Sequence, residues 1–423
     1  SNGVTGMVHS IVLYPSLPQG SSDRRVYGKN CMRICYDVWP LAKCKTILAF
    51  FTYFKCSCVC SAWRPHLPAC YSSSESDRCK RIKTNNREKL EMKKIRNINL
   101  DLIKIIACIG VVLLHTTMPG FKETGQWNYS SYLYYLGTYS IPLFFMVNGY
   151  LLLGKSKITY PYILHKIKWV LITVSSWTVI IWLLKRDFTI NPIKKILASL
   201  LQKGYFFQFW FFGSLILFYL CLPILKKYLH SKRSYLYFLS VLTIIGLIFE
   251  LINFLLQMPV QIYVIQTFRL WTWFFYYILG GFVAQFNIDN LKSIFKGWMK
   301  IVSILLLLIS PIILFFIAKN TYHNLFAEYF YDNLLVKVIS LGLFLTLLTL
   351  TIDASKYRMI YLLSVQTMGV FIIHTYVMKI WQKLIGFNIV GVYLFFPVFT
   401  LMISFLITMI LMKIPYINRI VKL

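Results

Sequence analysis

Asp101, Lys104 and His115 are residues whose types and spacing could do chemistry together, and they stand in the apolar stretch DLIKIIACIGVVLLH. On an α-helix, positions eleven apart fall within ~20° of each other and about 16 Å apart along the axis. Lys104 and His115 therefore share one stripe, Asp101 lies near it, and Leu, Ile and Val cover the rest. A charge at the centre of a bilayer costs at least ~2.5–3.5 kcal/mol on insertion scales, so such residues face a cavity or a partner. Each also has a plainer explanation. Lys104 is close enough to the basic start to snorkel, Asp101 suits a helix start or an i,i+3 partner for Lys104, and His115 falls at the helix's far end. Together they suit acyl transfer to an alcohol, because a neutral imidazole takes a proton from a hydroxyl where carboxylates and lysines do so poorly. No Ser elbow, HExxH, Walker loop or GxGxxG accompanies them, and no metal is expected.

The elements that must hold this stripe are membrane helices. The chain is 58% hydrophobic and only 14% charged, and its mean hydropathy is positive. Its apolar residues come in runs near 20 residues, about the length that spans ~30 Å of hydrocarbon. Ten such runs are centred near residues 107, 143, 173, 216, 244, 277, 309, 343, 370 and 401. This predicts an all-α integral membrane bundle of about ten helices. Lysines and arginines gather in alternate loops, among them Lys155, Lys157, Lys226, Lys227, Lys296 and Lys413, which by the positive-inside rule places both termini in the cytoplasm. A net charge of +31 is then explained by topology and anionic lipid, and nucleic acid is not expected as a partner. Residues 185–205 dissent, carrying five basic residues on the expected outer side. There Asn191–Pro192 opens a short amphipathic surface helix.

Residues 1–91 are of another kind, holding eight of the ten cysteines and no run long enough to span. They read as a disordered appendage or as an extension that is not native coding sequence, with a zinc or disulfide module as the alternative. The membrane domain is expected over residues 92–423.

From residue 95 to 412 the order of motifs resembles the membrane-bound acyltransferase family 3. NLDLIKIIACIGVVLLH is similar to that family's first span, whose Arg/Lys-x10-His motif falls on Lys104 and His115. IPLFFMVNGYLLL resembles the second span, with Phe144, Phe145, Gly149 and Tyr150 matching and Asn148 where Ser is usual. YILHKIKWVLI is similar to the basic approach to the third, and FWFFGSLILFYLCLPIL, YYILGGFVAQF and MGVFIIHTYV resemble later spans.

The resemblance implies a bundle that moves an acetyl group from acetyl-CoA onto a hydroxyl of a cell-surface polysaccharide or lipid-linked glycan. It also implies a multi-pass protein of a bacterial cytoplasmic membrane, with glycan biosynthesis machinery as a further partner. His115 is then expected as general base or acyl carrier, Lys104 as the group that positions dipoles or the oxyanion, and Lys155, Lys166 and Lys168 as contacts for the donor's phosphates. Asp101, Asn148, Glu250, Arg269 and His374 are cavity or acceptor candidates. The alternative is a transporter or flippase of a lipid-linked glycan, although paired internal repeats are not apparent.

Overall fold

A computed structural model describes residues 97–122, 125–385 and 392–422, so the reading of residues 1–91 lies outside the described part. Every regular element described is helical. The first half of the chain holds α1 (Ile98–Thr117), α2 (Pro119–Lys122), α3 (Tyr129–Leu136), α4 (Ser140–Leu153), α5 (Tyr160–Lys185), α6 (Pro192–Leu200), α7 (Trp210–Tyr228) and α8 (Lys232–Leu256). The second half holds α9 (Leu270–Val283), α10 (Ile288–Ile294), α11 (Gly297–Asn320), α12 (Leu334–Leu348), α13 (Tyr357–Ser364), α14 (Thr367–Ile385), α15 (Val392–Leu411) and α16 (Ile417–Val421).

Local chemistry sets many of the boundaries. The Asn97 side chain accepts from the backbone amides of Asn99 and Leu100 and starts α1. Asn191 caps α6 with Pro192 in its first turn, so the surface helix expected from Asn191–Pro192 is present. Ser231 and Ser234 form a reciprocal capping box at the start of α8.

All ten expected centres fall in helices. Among the described residues six helical segments are long and apolar enough to cross a bilayer, or seven if α13 and α14, bent by 51° at their junction, act as one. The other three, within α9, α12 and α15, are shorter apolar helices. α9 has 14 residues, about 21 Å of rise against ~30 Å of hydrocarbon. The molecule is thus an all-α membrane protein with fewer full-length spans than the ten runs predict.

α1 is the hub. It packs against α3, α4, α12, α13, α14 and α15, so protein covers much of its polar stripe, with Asp101 buried and Lys104 and His115 partly so. The closest pair is α4 on α9. A Cβ on Gly149 would lie 1.8 Å from the Tyr277 carbonyl oxygen, and one on Gly280 would lie 2.0 Å from that of Met146. Only glycine permits this seam, as small residues do wherever membrane helices approach closely. Beside it Phe145 stacks on Trp273 with centroids 5.1 Å apart, and Trp273 lies 4.9 Å from Trp210, so aromatic rings carry the seam toward α7.

Candidate functional site

His115 stands in the last turn of α1, where three segments distant in sequence converge. Phe207, from the single-turn helix Phe207–Phe209 that leads into α7, meets its ring edge-on at 5.1 Å. His374 of α14 stacks beside it, with centroids 5.3 Å apart and planes 28° apart. A void of about 20 Å³ opens here, lined by His115, Gln208, Ile141, Phe144, Trp210 and Phe371 among others. That is room for about one water molecule.

The hydrogen-bond bookkeeping around this void is incomplete. His374 is 0% exposed and its Nδ1 lies 3.1 Å from the Val370 carbonyl oxygen. A carbonyl can only accept, so Nδ1 carries the hydrogen and Nε2 keeps its lone pair. That Nε2 is buried without a partner. Gln208, 2% exposed, donates through Nε2 to the Ile372 carbonyl at 3.2 Å and to Thr375 Oγ1 at 3.0 Å. Its Oε1 is also buried and unpartnered. Sequence reasoning singled out His374 but missed Gln208. A glutamine set between aromatics in FFQFWFF was the available signal, since an amide in so apolar a stretch needs partners.

Lys104 and His115 share the face expected but do not meet, because about 16 Å of helix separates them. Lys104 Nζ pairs with Asp101 Oδ1 at 3.2 Å, and the Ser364 hydroxyl donates to the same oxygen at 2.8 Å. Asp101 is buried, so it works as a junction tying α1 to the end of α13. Of the three lysines expected at the donor end, Lys155 and Lys166 converge on the Tyr162 ring, at 4.5 and 5.6 Å from its centroid. Lys168 lies instead along an open groove of α5 with Leu164, Leu171 and Ser175. Asn148 donates to the Phe144 carbonyl at 2.9 Å and accepts from Tyr219 at 3.4 Å, a bond between helices.

Arg269 and Glu250 do not pair with each other. Buried Arg269 donates to the carbonyls of Val264, Gln261 and Glu328 at 2.8, 2.9 and 3.0 Å, and pairs with the Glu328 carboxylate at 3.5 Å. Glu250 accepts from the Asn333 side chain and from the Leu334 amide. Between them Asp332 accepts from Thr272 at 2.6 Å, Gln261 at 3.1 Å and Trp271 at 3.3 Å. The sequence reading passed over Lys337, a buried lysine in LLVKVISLGLFL. Its ammonium lies 4.7 Å from the Phe275 ring centroid, in the notch left by Gly246. These groups have their partners inside the protein, so they read as framework. Among the described residues no group of three or more His, Cys, Asp or Glu is placed to hold a metal ion.

An all-helical membrane bundle with a histidine-lined void beside its central helix is the class that fold and site define. The family model described as "Acyltransferase domain" matches residues 97–412, and the chain belongs to that family, the membrane acyltransferase family 3. Searches of curated proteins and of solved structures each return no match. The chain is therefore a membrane acyltransferase.

Proposed function

We propose that this protein is an O-acetyltransferase that carries an acetyl group from cytoplasmic acetyl-CoA to a hydroxyl of a surface or exported polysaccharide, with His115 as the reacting group. The observation that carries the reading is that His115, stacked on His374, lines a small void together with Gln208 in a chain of this family. An imidazole there can take the hydroxyl proton or hold the acyl group in transit. In this reading all ten apolar helices cross a bacterial cytoplasmic membrane. The basic loops, the start of α1 and the end of α15 then face the cytoplasm. Lys155 and Lys166, gathered at Tyr162, meet the donor's phosphates, and Lys168 adds charge nearby. Lys104, oriented by Asp101, acts on the donor's path and not at the reacting atoms.

The test is acetyl transfer from radiolabelled acetyl-CoA in membrane vesicles that hold the host's surface glycan, with the product located by glycan NMR. His115→Ala is expected to lower transfer at least ~100-fold, the usual scale for losing a general base, at unchanged protein level. Normal acetylation by that variant would overturn the assignment. Counterflow of an unmodified glycan without acyl transfer would point to a transporter instead.

A further inference from the structure

Gln208, which lines the void beside His115, carries an acceptor that the protein leaves without a donor. The amide of Gln208 cannot be turned over, because its nitrogen faces the Ile372 carbonyl, and two carbonyl oxygens would otherwise be set against each other. Oε1 is therefore held in place by the two bonds of its own nitrogen, is buried, and has no partner. Leaving a buried acceptor unpaired is costly, and native proteins seldom do so without a reason. The donor at hand is the ring N–H of His115, which lines the same void. His374 is a poorer recipient, since its ring lies alongside that of His115 at 28° and a ring N–H points outward in its own plane.

We propose that Gln208 is the positioning residue of His115: its Oε1 receives the imidazole N–H when the two side chains close across the void they both line, and so selects which ring nitrogen is left bare to react. This rests on the acyltransferase reading for its purpose but not for its geometry. In proteins that use histidine as base or ligand, the partner of the second ring nitrogen fixes the tautomer. Here an uncharged amide would fill that role. It does so without placing a carboxylate in the apolar interior, where a lone charge is expensive. The bonds from Gln208 to Ile372 and Thr375 also make the setting depend on α14, the helix that brings His374.

The test compares Gln208→Leu, which removes the oxygen, with Thr375→Val, which removes one anchor of the amide and keeps the oxygen. The first readout is the 15N spectrum of ring-labelled histidine, with His115→Ala and His374→Ala assigning the signals. A single hydrogen-bonded tautomer of His115 is expected in the wild type and with Thr375→Val, and a mixture with Gln208→Leu. The second is acetyl transfer in glycan-bearing vesicles, where Gln208→Leu should lower kcat at least ~10-fold with KM for acetyl-CoA within about twofold. Identical His115 signals in wild type and Gln208→Leu would overturn the proposal. So would equal losses of kcat and thermal stability in Gln208→Leu and Thr375→Val, which mark a merely structural bond. If the tautomer responds to Gln208 but the wild type transfers no acetyl group, the pairing stands and the acetyltransferase reading fails.

Discussion

Replacing Gly280 with alanine tests the α4–α9 seam with one added methyl group. The new Cβ would lie 2.0 Å from the Met146 carbonyl oxygen and 2.6 Å from its Cα, all backbone atoms of the facing helix. Against a lower limit near 3.0 Å for real Cβ contacts, the shortfall is 3.0 − 2.0 = 1.0 Å. Met146 cannot relieve it by changing rotamer, so the helices must part by a comparable distance. That motion would loosen the packing of Phe145 and Trp210 on either side of Trp273, whose centroid lies 5.1 and 4.9 Å from theirs. Overpacking a tight interior costs ~1–3 kcal/mol, and a clash with backbone belongs at the upper end. About 3 kcal/mol is roughly a 100-fold change in the folded-to-unfolded ratio. Thermal unfolding in detergent, followed by the protein's own tryptophan emission, would read it as a clear fall in midpoint. Gly297→Ala is the control, because a Cβ there meets nothing within 4 Å and should leave the midpoint unchanged or slightly raised. Equal midpoints for the two variants would refute the close approach of α4 and α9.

Two further predictions concern the polar framework. Asp332→Leu deprives Thr272, Gln261 and Trp271 of their acceptor; at ~1–3 kcal/mol for each buried group left unpaired, it should lower the unfolding midpoint more than Gly280→Ala. An unchanged midpoint would show that water satisfies those donors. Asp187, at the corner between α5 and α6, accepts from the Tyr205 hydroxyl and from Lys195 at 3.3 Å, and the tyrosine bond foremost holds its carboxyl below its ordinary value of 3.8. A depressed folded value means the tie's contribution is fully present above the unfolded pKa and is lost as pH falls on through the folded one. Hydrogen exchange over residues 186–205 should therefore quicken below about pH 4, beyond the intrinsic rate. Asp187→Asn should show no such step, and a flat wild-type profile would count against the tie.

Much of α1 was legible beforehand. The interval between Lys104 and His115 put both on one face, because helical periodicity fixes azimuth whatever the tertiary context. Periodicity says nothing about which segments come to lie at each level of that face. The Phe207–Phe209 turn and α14 are brought to His115 by packing across more than 90 and 250 residues of chain, and that is why Gln208 went unnoticed. The Asp101–Lys104 tie was foreseeable at i,i+3, whereas Ser364, its third member, was not. Lys337 escaped notice because one cation in an apolar run resembles a loop residue until Gly246 and Phe275 are seen around it. Each of the ten apolar runs fell on a helix, but burial inside the bundle selects for hydrophobicity as strongly as lipid does, so hydropathy could not reveal that α9 and α12 are short.

The central place of α1 bears on how the molecule is made. α1 emerges ahead of the other described helices, yet the groups that satisfy its polar side chains arrive late. Asn99 waits 248 residues for the Leu347 carbonyl, and Asp101 waits 263 for Ser364. At ~5–20 residues per second, that second interval is roughly 13–50 s of synthesis. Throughout it the Asp101 carboxylate lacks the Ser364 hydroxyl that donates to it in the folded protein. His115 likewise takes its final setting only when α14 has been added, because its stacking partner His374 stands on that helix.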